Sequence, residues 1–192
     1  METNPEKNLP ENPPETTDTA ELSPDINEEL LSRVSAVEKN VSPNAALDKE
    51  ELETVLKNPN AINVLLRDKG KDIVGFVIAL PNNEVYEELH SDDPCFENNP
   101  KRLYVYDIEI EEKNRGLSNF LSMTRPLIEE AETRGFEMLT MHARTSEKLS
   151  EVLQGRYQAH KLRTMENWQG WGEPYDYLEI KLHPRTSPTK TS

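Results

Sequence analysis

Apolar side chains recur along the first quarter of the chain at helical spacing. Positions one helical turn apart predict a first helix over residues 25–39: Ile26, Leu30, Val34 and Val37. A second helix is predicted to begin after Asp48, because Glu51 follows at the spacing of a capping box, and to end near Asn58.

The next stretch changes to strand patterning. Two apolar runs, residues 62–67 and 73–80, flank the turn Asp68-Lys-Gly-Lys, which predicts a hairpin. The second run is apolar at consecutive positions, so we expect a central strand that is covered on both faces. The polar residues 81–101 are too many for an ordinary connection and are predicted to form an insertion loop.

The second half of the chain predicts a strand, a helix and a strand in succession. Strand character over residues 103–110 is followed by a helical face from Leu117 to a stop at Gly135, and then by a strand over 138–142. This order is typical of a βαβ unit with parallel strands. A shorter helix and a closing pair of strands complete the prediction: residues 146–153, 158–165 and 175–182.

The low hydrophobic content, 34%, is concentrated at the two ends. Residues 1–24 hold five prolines and six acidic residues, too polar a composition to offset the entropy of ordering, and residues 183–192 are similar. The prediction is a single domain over residues 25–182 between two disordered tails. No first strand is evident, and one near residues 16–24 remains an open alternative.

Charge and cysteine content narrow the function classes. The net charge of −14 disfavours general nucleic-acid binding, which depends on a broad surface of basic residues. The single cysteine, Cys95, excludes an internal disulfide and a multi-thiolate zinc site, and no metal site is predicted. With no apolar stretch of membrane-spanning length or signal-peptide pattern, we expect a cytoplasmic protein without membrane or nucleic-acid partners.

The strand-to-helix corner Lys113-Asn-Arg-Gly-Leu-Ser118 carries the clearest sign of chemistry. A glycine there can expose backbone N–H groups at a helix N-terminus, where the partial positive charge favours a phosphate. Lys113 and Arg115 add full charges. The corner matches neither a P-loop nor a dinucleotide-binding fingerprint. Such a corner on its own is more often a solvated turn, but its place in the order of elements favours phosphate binding.

This corner resembles the Gln/Arg-x-x-Gly-x-Gly/Ala pyrophosphate motif of the GNAT superfamily of N-acetyltransferases. Gly116 matches the motif glycine, whereas Lys113 and Ser118 depart from it. The resemblance extends to Gly70-Lys-Asp-Ile-Val-Gly-Phe-Val, similar to the family's third strand, and to Arg134-Gly-Phe-Glu-Met-Leu, similar to the start of its fifth. It implies an α/β (α+β) fold with a mixed central sheet flanked by helices and a cofactor cleft between the family's fourth and fifth strands.

The resemblance also implies an activity: direct transfer of the acetyl group of acetyl-CoA to a primary amine of a small molecule or protein. Strand 103–110 would offer backbone groups to the pantetheine arm, and the corner would hold the pyrophosphate. The implied cofactor-binding residues are Ile108, Ile110, Lys113, Asn114, Arg115, Gly116, Leu117, Ser118 and Ser146.

An amine is mostly protonated at neutral pH, so the reaction needs a proton acceptor. Asp107 and Glu109 are the predicted acceptors, although both can also be ordinary exposed strand residues. The family often has a tyrosine general acid where this chain has Leu153, so Tyr157 is the predicted substitute. His142, at a strand end, is predicted to be structural.

Four aromatic residues lie close together near the end of the chain: Trp168, Trp171, Tyr175 and Tyr177. Trp168 and Trp171, in a turn-prone stretch, are candidates for contact with the acceptor, with packing of the closing hairpin as the open alternative, and Tyr177 is predicted to pack within a strand. Two other hypotheses remain open: a non-catalytic acyl-CoA-binding or protein-interaction module, and an α/β domain without a cofactor. The acceptor, and whether the protein is a monomer or a homodimer, stay open as well.

Overall fold

The structure, a computed structural model, describes residues 18–23, 25–42 and 46–185. Seven strands are present in these ranges: β1 (Thr19–Leu22), β2 (Ile62–Arg67), β3 (Ile73–Pro81), β4 (Arg102–Ile110), β5 (Met138–Arg144), β6 (His160–Met165) and β7 (Tyr175–Lys181). The helices are α1 (Glu28–Val41), α2 (Lys49–Leu56), α3 (Tyr86–Leu89), α4 (Leu117–Thr133) and α5 (Leu149–Tyr157). None of these helices is both long and apolar enough to cross a bilayer.

The strands form one mixed sheet in the order β1-β2-β3-β4-β5-β7-β6. The predicted hairpin is confirmed as the antiparallel pair β2–β3, and the predicted parallel pair as β4–β5. β3 is central and buried at every position, as its continuous apolar run predicts. One apolar core lies between the sheet and α4 and α5, and a second lies under α1 and α2 on the opposite face.

Local sequence signals explain most helix ends. Asp48 and Glu51 form the predicted capping box at the start of α2. α4 stops before Gly135, which has a left-handed φ of 85°. The prediction for the last helix is wrong by three residues at its start, because Thr145–Glu147 form a 3-10 turn and Lys148 adopts a left-handed φ of 55°. An α-helix cannot include that conformation, so α5 begins at Leu149.

The boundary of the amino-terminal tail requires a correction. Thr19–Leu22, inside the stretch predicted to be disordered, form β1 antiparallel to β2, and Ser23 N donates to Asn63 O at 3.0 Å. These backbone bonds offset the lack of apolar side chains, so the open alternative of a first strand is the one observed. Residues 1–17 and 186–192 lie outside the described residues, and the tail prediction there stays untested.

The predicted insertion loop, residues 81–101, is more ordered than its composition suggests. It contains α3, and Leu89 and Phe96 are buried in a third apolar cluster with Tyr104 and Trp168. The loop therefore contributes to the interior beside β4, where Asp93 is also buried.

β4 and β5 separate after a short paired stretch. They pair only from Arg102 to Tyr104 on β4, whereas β5 continues to pair with β7 as far as Arg144. β4 carries a bulge, because Ile78 faces Asp107 and Ala79 faces Val105, which leaves Tyr106 as an extra residue. A bulge bends its strand and increases its twist, so the two strands diverge and leave a cleft in the middle of the sheet.

The bulge also decides which side chains share a face. Val105, Ile108 and Ile110 pack against the core under α4. The extra residue shifts the alternation, so Tyr104, Asp107 and Glu109 lie together on the opposite face, the one that α1 covers. We call these two sides of the cleft the α4 face and the α1 face.

Candidate functional site

A cavity of about 450 Å³ occupies the opening between β4 and β5. Its α4 face is mostly apolar, lined by Val105, Ile108, Ile110, Phe120, Met141, Ala143, Leu149 and Val152. Its α1 face is polar and aromatic, lined by residues that include Glu38, Tyr104, Asp107, Glu109, His142 and Trp171. The cavity thus joins two chemically different halves at the point where the strands part.

The predicted corner borders the cavity through Arg115, Gly116 and Leu117. Gly116 is the N-cap of α4, and no side chain caps that helix end. A Cβ added at Gly116 would meet nothing within 4 Å, so the corner is open in front of the helix N-terminus. The helix dipole, the backbone N–H groups of the first turn and Arg115 together suit a bound anion.

Other predicted cofactor-binding residues lie away from the cavity lining. Lys113 is exposed and pairs with Glu111 at 3.3 Å. Ser118 is half-buried in the first turn of α4, and Ser146 is exposed in the 3-10 turn before α5. The structure therefore brings Ile108, Ile110, Arg115, Gly116 and Leu117 to the cavity, but not these three residues.

Asn114 does not line the cavity and forms hydrogen bonds within the corner instead. Its Nδ2 donates to Asp18 Oδ2 at 3.0 Å, and Asn119 Nδ2 donates to the same oxygen at 2.7 Å. Asn119 Nδ2 also lies 2.8 Å from the backbone oxygen of Asn114. Asp18 is only 7% exposed, so a buried carboxylate from the segment before α1 holds both sides of the corner. Sequence reasoning missed Asp18 because it placed this residue in a tail.

Three carboxyl groups on the α1 face, Glu38, Asp107 and Glu109, form what we call the carboxyl cluster. Ser42 Oγ donates to Glu109 Oε1. Glu38 is 2% exposed; its Oε1 accepts from Leu47 N at 2.7 Å, and its buried Oε2 has no hydrogen-bond partner among the described residues. Within the described ranges, no lysine or arginine forms an ion pair with Glu38 or Asp107.

Burial and mutual repulsion raise the proton affinity of this cluster. Burial is the main cause that raises the pKa of Asp107 well above its usual value, and the charges of Glu109 and Glu38 add to it. The pKa of Glu38 is also raised, by burial first, with the Leu47 N–H bond opposing and Glu109 adding. The two predicted proton acceptors thus both reach the cavity, beside a third carboxyl group that the sequence did not indicate.

A second polar group on this face centres on His142. Its Nδ1 lies 3.0 Å from Tyr104 Oη, and its Nε2 lies 3.3 Å from Asp93 Oδ2. The imidazole stacks on Trp168, with 3.6 Å between ring centroids. Asp93 is 1% exposed and also accepts from Arg163 Nε at 3.0 Å. We call Tyr104, His142 and Asp93 the histidine chain.

The charges in this chain follow from its contacts. Burial raises the pKa of Asp93, but hydrogen bonds from His142 and Arg163 outweigh it and bring the pKa to about 2. Burial lowers the pKa of His142 more than Asp93 raises it, so the ring is neutral at neutral pH. With a carboxylate facing Nε2, the proton belongs on Nε2, and Nδ1 accepts from the Tyr104 hydroxyl.

The predicted strand end at His142 is wrong, because β5 continues to Arg144; the His142 side chain is buried within the strand and also lines the cavity. Its partners could not be found in the sequence. Asp93 lies in the stretch predicted to be a loop, and Tyr104 is 38 positions away on another strand. Only the pairing of β4 with β5 and the folding of residues 81–101 beside them bring the three together.

The predicted general acid is not near the cavity. Tyr157 is the last residue of α5 and packs, half-buried, against the core. Leu153, where the family resemblance expects a tyrosine, is fully buried. Among the described residues of α5, Leu149 and Val152 line the cavity, and neither can donate a proton.

The aromatic cluster divides in two. Trp171 is 42% exposed and borders the cavity beside Tyr175, with 5.5 Å between ring centroids. Trp168 also borders the cavity, but it is 3% exposed and supports His142. Tyr177 is buried and absent from the lining, which agrees with the packing role expected of it. Of the two tryptophans, Trp171 is therefore the one that is exposed at the cavity.

No protein-family model and no curated protein matches this sequence. Many solved structures do match its fold. A GNAT superfamily phosphinothricin acetyltransferase from Sinorhizobium meliloti, in complex with acetyl-CoA, is 14% identical, with a TM-score of 0.66, over 92% of this chain and 95% of its own. The ribosomal-protein-S18-alanine N-acetyltransferase from Escherichia coli is 12% identical, with a TM-score of 0.64, over 91% and 99%.

The aminoglycoside 6'-N-acetyltransferase from Enterococcus faecium is 16% identical, with a TM-score of 0.65, over 88% of this chain and 99% of its own. At such identities the similarity shows the fold. The chain has the GNAT fold over nearly its whole length, which confirms the resemblance at that level. The acceptors named for these three proteins differ in kind, so the fold leaves the acceptor of this chain open.

Proposed function

We propose that this chain is an acetyl-CoA-dependent N-acetyltransferase that moves the acetyl group directly to a primary amine. The observation that carries the proposal is the uncapped N-terminus of α4 opening onto a cleft between diverging strands. Structural neighbours of this fold have been crystallised with acetyl-CoA or CoA bound. The opposite side of the same cleft holds groups able to accept a proton.

The α4 face suits acetyl-CoA. The corner would bind the pyrophosphate through backbone N–H groups, with Arg115 supplying charge. Beyond Tyr104, β4 pairs with β3 alone among the described strands, so its other edge can hydrogen-bond an extended pantetheine arm around Ile108 and Ile110. The apolar lining of this face suits the arm's methylene groups.

The amine would enter on the α1 face and lose a proton before it attacks. Its nitrogen then forms a bond to the thioester carbonyl carbon, the C–S bond breaks, and the electron pair leaves on the CoA sulfur. The histidine chain can take the proton: Tyr104 Oη receives it as its own hydroxyl proton passes to Nδ1 of His142. The resulting imidazolium is stabilised by the Asp93 carboxylate.

Asp107 and Glu109 remain the alternative proton acceptors in this proposal. A raised pKa, as for Asp107, is the direction expected of a carboxyl group that must accept a proton near neutral pH. The leaving thiolate needs no dedicated acid, because a thiol with a pKa of about 8.5 is a tolerable leaving group near neutrality. The reaction therefore needs no tyrosine at the position of the buried Leu153, and it does not need Tyr157, which is absent from the cavity lining.

Gly116→Glu tests the cofactor side. A carboxylate would extend into the open corner and repel the pyrophosphate, so we expect acetyl-CoA binding, measured by calorimetry, to be lost. The φ of 162° is extended backbone that any residue adopts, so the variant should fold. Gly116→Ala is the matched control and should bind acetyl-CoA nearly as the parent does. Full binding by a folded Gly116→Glu variant would contradict the corner assignment.

Two substitutions separate the proton acceptors. Tyr104→Phe should lower kcat by roughly a hundred-fold for every amine, the usual size of a lost acid–base step. Asp107→Asn should do so instead if the carboxyl group is the acceptor. The pH profile of kcat/KM for each variant identifies the group whose titration has disappeared.

The second candidate function is an acyl-CoA-binding module without catalysis. The absence of an ionisable side chain among the α5 residues that line the cavity favours it. This candidate expects acetyl-CoA to bind while a broad panel of amines produces no free thiol. Measurable thiol release with any amine rejects it.

A further inference from the structure

Glu38 differs from the other buried acids of this chain, because one of its oxygens has no hydrogen-bond partner among the described residues. Asp93 is paired with Arg163, and Asp176 accepts from Ser150 and Thr164 at 2.7 Å and pairs with Lys161. Glu38 and Asp107 have no such cation among the described residues. Burying a carboxyl group without compensation is costly, so a fold keeps one where something outside the chain supplies the partner.

The unpartnered carboxylate oxygen of Glu38 is the feature that points to a ligand. It is 2% exposed and lines the cavity, yet its buried Oε2 has no hydrogen-bond partner in the described ranges. An acidic patch on the surface would be satisfied by water. Glu38 belongs to the lining of the cavity, so a polar group that enters the cavity is placed to approach its carboxylate.

The position of the cluster relates it to the reacting amine. Tyr104, at the point where the strands part, and Asp107 lie on the same face, and because of the bulge they oppose Leu80 and Ile78, which are two residues or roughly 7 Å apart on β3. An acceptor whose reacting nitrogen is at Tyr104 would therefore extend its other end toward Asp107 and Glu38. A cation at that end would be surrounded by carboxyl groups.

We infer that the carboxyl cluster binds a second cationic group of the acceptor, so that the preferred substrate is a small diamine or polyamine. This inference rests on the proposed function. The cavity of about 450 Å³ and the deep burial of Glu38 favour a small molecule, because a folded protein surface could not reach that oxygen. Bound ammonium would donate to the unsatisfied oxygen and reduce the repulsion among the three carboxyl groups.

The kinetic test compares a four-carbon diamine with the amino alcohol of the same length, which has the same reacting amine but a neutral far end. With the full chain and acetyl-CoA, we expect kcat/KM to favour the diamine by about ten-fold to a hundred-fold, the value of one charge-assisted hydrogen bond. This exceeds the two-fold advantage of having two amines. Glu38→Gln should reduce the ratio by about ten-fold.

Two features make the variant informative. Glutamine keeps an oxygen that can accept from Leu47 N, so Glu38→Gln should fold, and unfolding curves check this. Glu129→Gln, on the exposed side of α4, is the matched control and should leave the ratio unchanged. If Asp107 were only the proton acceptor, Asp107→Asn would lower kcat for both substrates alike and leave the ratio intact.

A binding measurement separates this inference from the proposed function. The bis(dimethylamino) derivative of the same length is protonated and keeps an N–H at each end, but as a tertiary amine it forms no stable amide, so calorimetry in the presence of CoA reports recognition alone. We expect it to bind at least ten-fold more tightly than the amine of the same length that carries a single dimethylamino group. Dication binding without acetylation of any amine would uphold the inference and overturn the proposed function. Acetylation with equal kcat/KM for diamine and amino alcohol, or preference for a basic peptide over diamines, would overturn the inference.

Discussion

Two buried carboxyl side chains lie on the α1 face, Glu38 in the cavity lining and Asp93 behind the lining residue His142, and the fold treats them in opposite ways. Around Asp93, the chain supplies an arginine and a histidine, and the pKa falls to about 2. Around Glu38 and Asp107 it supplies no ion pair among the described residues, and both pKa values rise. A lowered pKa accompanies a carboxylate whose charge the protein itself compensates, and a raised pKa accompanies a carboxyl group whose burial is not compensated.

The elements beside each group explain the difference. Arg163 on β6 lies 4.0 Å from the centre of the Tyr177 ring, and this aromatic contact aims its guanidinium at Asp93. On α1, the neighbour of Glu38 is Lys39, which is exposed. Successive residues on a helix point about 100° apart, and the charge of Lys39 opposes the raised pKa of Glu38 less than burial raises it, without an ion pair between the two among the described residues.

We expect the largest effect on stability from removing the charge of Asp93, which the protein compensates with its own side chains. Asp93→Asn removes the charge that Arg163 and His142 face, and breaking a buried ion pair costs about 3–5 kcal/mol of unfolding free energy. Urea denaturation at neutral pH measures it. Asp92→Asn, at the exposed neighbouring position, should change the free energy by less than about 0.5 kcal/mol. Equal stability of the two variants would remove the contrast between the groups.

Asp18 offers an intermediate case, a buried carboxylate completed by neutral amides. Asp18→Ala removes the acceptor of two side-chain bonds in the corner, and we expect a loss of about 1–3 kcal/mol together with weaker acetyl-CoA binding. Glu21→Ala, which only breaks an ion pair with Arg67 near the surface, should cost less than about 1 kcal/mol. A loss of stability with unchanged binding would mean that Asp18 does not position the corner.

A site residue could be predicted from the sequence only where the residues it works with are close to it in the chain. The corner 113–118 could be located because a strand end, a glycine and a helix start are adjacent in the chain. Asp107 and Glu109 could be placed on one strand by their two-residue spacing. Glu38 could not be assigned to the same site, because only the packing of α1 on the sheet brings it there.

Other features had no local signal at all. The bulge at Tyr106 adds one residue to a strand without any glycine or proline to indicate it, yet it decides which side chains share the α1 face. β1 carries few apolar residues, and its order depends on the edge of β2. Tertiary pairing, rather than local propensity, determines both features.

Removing the charge of Glu38 should change the free energy of unfolding in the opposite direction to removing the charge of Asp93. Glu38→Gln keeps the bond from Leu47 N, while it removes a buried charge that Asp107 and Glu109 repel. We expect a gain in unfolding free energy of about 1 kcal/mol at neutral pH, the size of other functional-site relaxations. A loss comparable to that of Asp93→Asn would show that Glu38 is completed by the protein after all.

The pH dependence of stability gives the finest test of the comparison. A carboxyl group whose folded pKa is raised stabilises fully below its unfolded pKa, near 4.5 for glutamate, and that contribution is lost as the pH rises through the folded value. Asp93 behaves inversely: its contribution is present above its usual 3.8 and is lost as the pH falls through about 2. His142, with a lowered pKa, adds stability as the pH rises toward 6.5 and partly masks the cluster. The contributions of Asp93 and His142 are the same in the parent and in Glu38→Gln, so they cancel when the two free energies of unfolding are subtracted.

That difference, from urea curves at several pH values, should be near zero around pH 4 and should grow in favour of Glu38→Gln as the pH rises to neutrality. A bis(dimethylamino) diamine should shrink it, because the bound dication stabilises the parent, in which Glu38 is charged, more than it stabilises Glu38→Gln. A pH-independent difference would mean that Glu38 titrates alike in the folded and unfolded chains. The folded protein would then compensate the charge of Glu38 itself, and the contrast with Asp93 would disappear.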